Sequence, residues 1–289
     1  MNYRHAFHAG NFADVVKHVT LGALLDQLCG KDKPWCYVET HAGRGRYDLE
    51  RPEARRAGEW RDGIGRLEDA VDLPDAVVRY LDRVRALAGN ERQIRVYPGS
   101  PLLARAAMRE GDRALLAELQ QDEARALKSE FRRDPRVAVH QMDGYQALKA
   151  LLPPTPRRGL VLIDPPYEAP DELARLPARL AAAARRWPTG IFALWYPIKD
   201  RRELAPLRRG LERIEAGDLL FAELSLAPTD NTARMNGSGL AILRPPWQFE
   251  KTLEACYPAL ASCLARDATP EISIRRLTAA PGARLEAGS

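Results

Sequence analysis

Residues 159–167 read GLVLIDPPY, and this stretch decides how the chain folds. The unbroken apolar run at 159–163 predicts a strand that is buried on both faces, as is typical of a parallel sheet. Asp164 follows at the carboxyl end of that strand, where open α/β sheets bind their ligands. Pro165 and Pro166 fix their own φ angles and carry no N–H, which makes the turn rigid. The stretch therefore predicts a buried strand that ends on a functional loop.

Strand and helix patterns alternate on both sides of this stretch. Further strands are predicted at residues 35–40, 113–119, 136–140 and 189–196, with helical patterns between them. This alternation is typical of an α/β fold with a mainly parallel sheet. The last two predicted strands, 217–226 and 238–244, follow one another directly and indicate an antiparallel hairpin at one edge.

Residues 46–97 interrupt the alternation. They are rich in both acids and bases, and they show helical patterns but no clear strand. We predict a small helical insertion subdomain here, while residues 1–45 and 98–277 form the α/β domain. Residues 278–289 are predicted to be a flexible tail.

The composition permits a nucleic-acid partner without requiring one. Of 289 residues, 45% are hydrophobic, which is enough for a full core and excludes disorder of the whole chain. The net charge is +5, and only seven of the 44 cationic residues are lysines. Arginine binds phosphate well through its planar fork, although a coding bias explains this composition equally well.

The four cysteines indicate neither a metal site nor a redox site. Cys29, Cys36, Cys256 and Cys263 form no C-x-x-C pair, so we expect isolated buried thiols in a reducing compartment and no bound metal. The chain start lacks the apolar segment of a signal peptide, and no run approaches the length of a membrane span. The predicted location is the cytoplasm, with no membrane partner.

The residues of the DPPY loop suit an amino group on a flat heterocycle. The lone pair of such an amine is delocalised into its ring, so the nitrogen is a poor nucleophile. A carboxylate at Asp164 and the carbonyl of Pro165 can accept its two N–H bonds and stabilise the developing positive charge. Tyr167 can stack on the ring. The alternative is an ordinary strand-to-helix turn in which Asp164 caps a helix.

Five motifs in order along the chain resemble one known family. They are residues 3–11 (YRHAFHAGN), 40–47 (THAGRGRY), 97–101 (YPGSP), 164–167 (DPPY) and 195–197 (WYP). Over roughly residues 1–275 the chain resembles the bacterial 23S ribosomal RNA adenine-N6 methyltransferase J family, which has also been labelled a DNA-utilisation or competence protein. The resemblance implies a Rossmann-like class I S-adenosylmethionine-dependent methyltransferase fold, with 1–45 and 98–277 as the methyltransferase domain.

The resemblance also implies a set of cofactor-binding residues. They are His18, His41, Ser100, Glu118, Asp143, Gly144 and Asp164. Five of these have structural alternatives: His41 also suits a plain β-to-α turn, Ser100 a helix N-cap before Pro101, Glu118 an exposed strand end, and Asp143-Gly144 a common turn. S-adenosylmethionine is the implied cofactor, and no metal is needed because its sulfonium is already an electrophile.

The first 18 residues hold three of the five histidines. In the resembled family this arm folds over the cofactor and the target base, and the alternative is a polar, solvated arm. The implied substrate-binding residues are Tyr3, His5, Lys17, Pro165, Pro166 and Tyr167. Asp164 is the implied catalytic residue, and its carboxylate accepts a proton or hydrogen bond from the target nitrogen.

The resemblance predicts an enzyme that methylates N6 of one adenosine in 23S rRNA, with the base flipped into the DPPY pocket. We expect it to act as a monomer. Two alternatives remain open at this point. One is a DNA adenine-N6 methyltransferase, since the DPPY pocket reads only the base and not the 2′-hydroxyl. The other is a non-catalytic DNA-utilisation or DNA-binding protein on a methyltransferase scaffold.

Overall fold

Helices and strands alternate in the computed structural model, which describes residues 5–87, 89–169, 171–229, 232, 234–265 and 269–279. After a short 3-10 helix at His5–Phe7, helix α1 spans Phe12–Cys29 and strand β1 spans Cys36–Glu39. Asn11 is the N-cap of α1, because its side chain accepts a hydrogen bond from the N–H of Asp14.

The remaining elements follow in chain order. Residues 46–98 hold β2 (Arg46–Asp48), α2 (Pro52–Ala57), α3 (Asp75–Arg85) and β3 (Val96–Pro98), with 3-10 helices at Glu59–Asp62 and Ile64–Leu67. The central elements are α4 (Ser100–Ala107), β4 (Arg113–Glu118), α5 (Gln121–Phe131), β5 (Val137–Gln141), α6 (Gly144–Ala150), β6 (Gly159–Ile163) and α7 (Glu172–Arg186). The last are β7 (Ile191–Ile198), α8 (Ala205–Glu212), β8 (Leu219–Ser225), β9 (Gly237–Leu243), α9 (Phe249–Leu264) and β10 (Glu271–Leu277).

Within the described residues, the main sheet has eight strands in the order β10-β8-β9-β7-β6-β1-β4-β5. The five strands from β7 to β5 run parallel, while β9, β8 and β10 pair antiparallel at the other side. This confirms the predicted α/β fold with its antiparallel edge. A mainly parallel sheet with helices on both faces is Rossmann-like, as the resemblance implies.

Two apolar clusters cover the two faces of the sheet. Because successive strand residues point to opposite faces, Tyr37 of β1 joins the cluster that contains α1, α3, α4 and α9, while Val38 joins the one that contains α6, α7 and α8. All five residues of β6 are buried. The apolar run that predicts this strand is therefore explained by helices on both faces.

The insertion differs from its prediction at both ends. The sequence shows no clear strand in residues 46–97, yet β2 and β3 form a two-stranded antiparallel sheet in which Tyr47 lies opposite Tyr97. Strands of three residues are too short to display an alternating pattern. Helix α3 buries Val77, Tyr80 and Val84 in the same apolar cluster as α1.

No helix or strand is predicted between β9 and the tail, where the structure has α9 and β10. Strand β10 pairs antiparallel with β8, so that Glu271 lies opposite Ser225. It extends the predicted edge hairpin to three strands. Most residues of β10 are exposed or half-buried, which explains why its apolar pattern is weak.

Gly239 should be needed for the pairing of β9 with β7. A Cβ atom there would lie 2.4 Å from Cε2 of Tyr196, whose ring is buried and whose hydroxyl donates to Glu223 at 2.6 Å. Gly239→Ala should lower the free energy of unfolding in urea by about 1–3 kcal/mol. Gly30→Ala is the matched control because a Cβ at Gly30 meets no described atom closer than 3.5 Å. Equal stability of the two variants would contradict this packing.

Candidate functional site

The DPPY loop begins where β6 ends, and it forms one wall of the candidate site. The side chain of Asp164 is 16% exposed, and Pro165 is buried beside it. Tyr167 has a φ of +53°, which is unfavourable for a bulky residue. Residues with such strained backbone conformations are concentrated at functional sites in proteins. Its hydroxyl donates to the carbonyl of Trp195, and the two rings meet edge to face at 5.8 Å. The loop is thus held in a strained, fixed shape.

Lys17 of α1 reaches Asp164 across 147 residues of sequence. Its Nζ lies 2.6 Å from Oδ2 of Asp164 and 2.8 Å from Oδ1 of Asp14. Burial opposes the charge of this ammonium, but the two carboxylates raise the pKa of Lys17 well above its usual value. The ammonium therefore stays charged and anchors one oxygen of Asp164.

The N-terminal arm is tied to the same cluster. Nε2 of His5 lies 2.9 Å from Oδ2 of Asp14, and the N–H of Gly10 donates to that oxygen at 3.0 Å. Burial disfavours the charge on Asp14, yet His5 and Lys17 lower the pKa of Asp14 well below its usual value. Two implied substrate residues, His5 and Lys17, thus lie in one cluster with Asp164. Tyr3 lies outside the described residues.

A second group of predicted residues surrounds the loop after β1. The N–H of Gly43 donates to Oε2 of Glu118 at 2.8 Å, and the N–H of Gln120 donates to its Oε1 at 2.7 Å. Gly43 has a φ of +59°, a conformation that favours glycine. Burial raises the pKa of Glu118, which is 6% exposed. The exposed strand end considered as an alternative is therefore wrong, since Glu118 is buried and fixes this loop.

Asp143, Gly144 and His41 form the neighbouring wall. Asp143 caps α6 by accepting from two backbone N–H groups, those of Tyr145 and Gln146, so its turn is a helix N-cap. A Cβ on Gly144 would lie 2.7 Å from Cε1 of His41, so only glycine lets the two loops approach this closely. Burial lowers the pKa of His41 to about 4, which leaves its imidazole neutral at pH 7.

Ser100 leads to a residue that the sequence analysis missed. Gly99 is the N-cap of α4, so the capping role considered for Ser100 is wrong. Its hydroxyl instead donates to Oε1 of Glu39. Glu39 is fully buried at the end of β1, and its Oε2 has no partner among the described residues. The sequence position of Glu39 could have identified it as a site residue, because it is an acid at the carboxyl end of a buried strand, like Glu118 and Asp164.

His18 lies one residue beyond Lys17 on α1, with its ring 1% exposed. Its Nδ1 is 2.8 Å from the hydroxyl of Tyr97, and its Nε2 is buried with no partner in the described part of the chain. Burial lowers the pKa of His18 to about 3. The imidazole is therefore neutral and offers one unused nitrogen.

The described residues hold no cluster of three His, Cys, Asp or Glu side chains that could bind a metal ion. None of the described helices combines the length and the apolar character that a bilayer span requires.

Comparisons with known proteins agree on one family. A family model described as Ribosomal RNA large subunit methyltransferase D, RlmJ, matches residues 32–276. Ribosomal RNA large subunit methyltransferase J of Escherichia coli (strain K12) is 42% identical over 264 residues, or 91% of this chain and 94% of that protein. The protein of the same name from Haemophilus influenzae is 38% identical over 278 residues, or 96% of this chain and 99% of that protein. The crystal structure of a protein from Legionella pneumophila matches with a TM-score of 0.85 at 34% identity, covering 93% of this chain and 98% of that chain.

The buried Glu39 should make stability depend on pH. Burial raises its pKa from 4.5 to about 8, so between these values the folded chain holds a proton that the unfolded chain has lost. Wild-type stability therefore falls as the pH rises through this window. Glu39→Gln cannot lose that proton, so its free energy of unfolding relative to wild type should rise by up to about 1.4 kcal/mol per pH unit.

Urea unfolding from about pH 5 to pH 8 measures this difference. Glu110→Gln, at an exposed acid, is the control and should show a nearly constant difference from wild type. A constant difference for Glu39→Gln as well would contradict the raised pKa.

Proposed function

The chain belongs to the RlmJ family of ribosomal RNA large subunit methyltransferases, and we propose that it transfers a methyl group from S-adenosylmethionine to N6 of a single adenosine in 23S rRNA. The observation that carries the proposal is the anchored Asp164 at the end of β6. Lys17 binds its Oδ2 at 2.6 Å, and this leaves Oδ1 to accept a hydrogen bond from a substrate amine.

The walls of the site fit this cofactor. A bound S-adenosylmethionine supplies an electrophilic methyl group on its sulfonium. Glu39 offers a buried, unpartnered carboxyl oxygen for the ammonium of the cofactor, and His18 offers a buried, unpartnered ring nitrogen. Glu118 ends the next strand, where an acid can accept the hydroxyls of a ribose. Because Gly144 has no Cβ, its loop packs closely against His41.

The DPPY loop fits the target base. With the base flipped out of its stack, Asp164 accepts one N–H bond of the exocyclic amine and the carbonyl of Pro165 accepts the other. Both acceptors draw the nitrogen lone pair toward the electrophile and stabilise the charge that develops on nitrogen. Tyr167 is held by its hydrogen bond to Trp195, so its ring can stack on the base with little further loss of freedom. Pro166 keeps the loop rigid.

A cleft of about 730 Å³ beside the N-terminal arm gives RNA phosphates a place to bind. His5 packs edge to face against Tyr47, which lines this cleft. Five arginines also line it: Arg44, Arg46, Arg51, Arg132 and Arg133. Glu123 and Glu130 bind the first two, whereas the last two are exposed. Arginine forks at this place suit the backbone of the RNA around the flipped base.

Asp164→Ala should bind the cofactor but lose methyl transfer by at least about 10³-fold, the scale of losing one transition-state contact. The measurement is single-turnover transfer of labelled methyl to 23S rRNA fragments, with S-adenosylhomocysteine binding followed by calorimetry. Asp171→Ala, at an exposed acid near the start of α7, is the matched control and should transfer normally. Near-normal turnover by Asp164→Ala would contradict the proposed mechanism.

The same assay separates the rival functions. Transfer to DNA duplexes and not to rRNA fragments would make the chain a DNA adenine methyltransferase. Tight DNA binding without any cofactor binding would favour a non-catalytic DNA-utilisation protein. We expect transfer to rRNA.

A further inference from the structure

A buried chain of hydrogen bonds links the insertion to helix α1. The hydroxyl of Tyr80, on α3, lies 2.9 Å from the hydroxyl of Tyr97, on β3. The hydroxyl of Tyr97 lies 2.8 Å from Nδ1 of His18. Both tyrosines are fully buried, and His18 is 1% exposed. The rings of His18 and Tyr97 also stack, with centroids 5.6 Å apart and an interplanar angle of 23°.

The direction of this chain follows from its hydrogen atoms. Tyr80 has no hydrogen-bond partner besides Tyr97 among the described residues, so its hydroxyl hydrogen is satisfied only if it points to the oxygen of Tyr97. The hydroxyl of Tyr97 then donates to Nδ1 of His18. The opposite direction would leave two buried groups unsatisfied, the hydroxyl hydrogen of Tyr80 and the lone pair of Nε2 of His18, whereas this direction leaves only the N–H of Nε2. Each unsatisfied buried group costs about 1–3 kcal/mol.

This direction fixes the tautomer of His18. A neutral imidazole carries its hydrogen on one of its two nitrogens, and burial keeps this ring neutral by lowering the pKa of His18 to about 3. Because Nδ1 accepts from Tyr97, the hydrogen must be on Nε2. Nε2 of His18 is buried and has no partner within the described ranges. Its N–H is therefore a hydrogen-bond donor without an acceptor.

We propose that Tyr97, held by Tyr80 of the insertion, is a positioning residue that sets His18 in its Nε2–H tautomer and thereby aims a donor at an acceptor atom of the cofactor. The identity of the ligand rests on the proposed function, whereas the tautomer does not. The insertion then has a role in the site through the contact of Tyr97 with His18. Tyr80 on helix α3 holds the hydroxyl of Tyr97, and that hydroxyl holds the ring of His18.

Nitrogen-15 NMR of the full-length chain with labelled histidine tests the tautomer without any ligand. The wild-type His18 signal, assigned by its loss in His18→Asn, should show Nε2 as the protonated nitrogen and Nδ1 as an acceptor. In Tyr97→Phe the population of this tautomer should fall. A wild-type His18 protonated on Nδ1 would overturn the proposal, as would an unchanged tautomer in Tyr97→Phe. The wild-type spectrum decides the direction even if the variant does not fold.

Calorimetric binding of S-adenosylhomocysteine tests the consequence for the cofactor. Tyr97→Phe should bind it about three- to tenfold more weakly, the scale of one lost hydrogen bond. Tyr257→Phe is the matched control, because Tyr257 is a buried tyrosine whose hydroxyl also meets α1, at Thr20. It should bind the ligand within about twofold of wild type, as expected for a hydroxyl away from the site.

The two measurements test different parts of the proposal. Unchanged affinity in Tyr97→Phe would overturn the positioning role while leaving the proposed function intact. A wild-type chain that binds no S-adenosylhomocysteine would overturn the proposed function and the cofactor half of this proposal, and the NMR result would still decide the tautomer.

Discussion

The ammonium of Lys17, buried between Asp14 and Asp164, is the contact on which the rest of the site depends. Removing one partner from such a buried ion pair typically costs about 3–5 kcal/mol, because it leaves an uncompensated charge. The contact fixes α1 against the carboxyl end of β6, and α1 in turn carries His18. Since His5 binds Asp14 at 2.9 Å, the N-terminal arm is placed by the same cluster. One buried cation thus sets the position of the arm, the helix and the DPPY loop.

The parallel sheet supplies the other half of the arrangement. Glu39, Glu118 and Asp164 are the last residues of β1 and β4 and the first residue after β6, and these three strands are neighbours. Parallel strands end at one edge, so three acids far apart in sequence come together there. Their environments differ: Ser100 binds Glu39, backbone N–H groups bind Glu118, and Lys17 binds Asp164. Each carboxyl group is thereby held by a different kind of donor.

Local patterns predict the elements that are strongly apolar or strongly periodic. Strand β6 was predictable because burial on both faces makes its sequence apolar throughout, whereas the weak pattern of β10 left that strand unassigned. The sequence motifs also contain most of the candidate site. They could not reveal its pairings, because Lys17 and Asp164 are 147 residues apart. The chain from Tyr80 through Tyr97 to His18 was likewise hidden, since it forms only when the insertion packs on α1.

The most direct test of methyl transfer to one rRNA adenosine is mass spectrometry of 23S rRNA from a strain that lacks the gene. The rRNA is digested to nucleosides and to mapped fragments. We predict that one N6-methyladenosine is missing in the deletion strain and is restored by the wild-type gene, but not by the Asp164→Ala gene. An unchanged level of N6-methyladenosine in the deletion strain, or its restoration by Asp164→Ala, would contradict the proposed reaction.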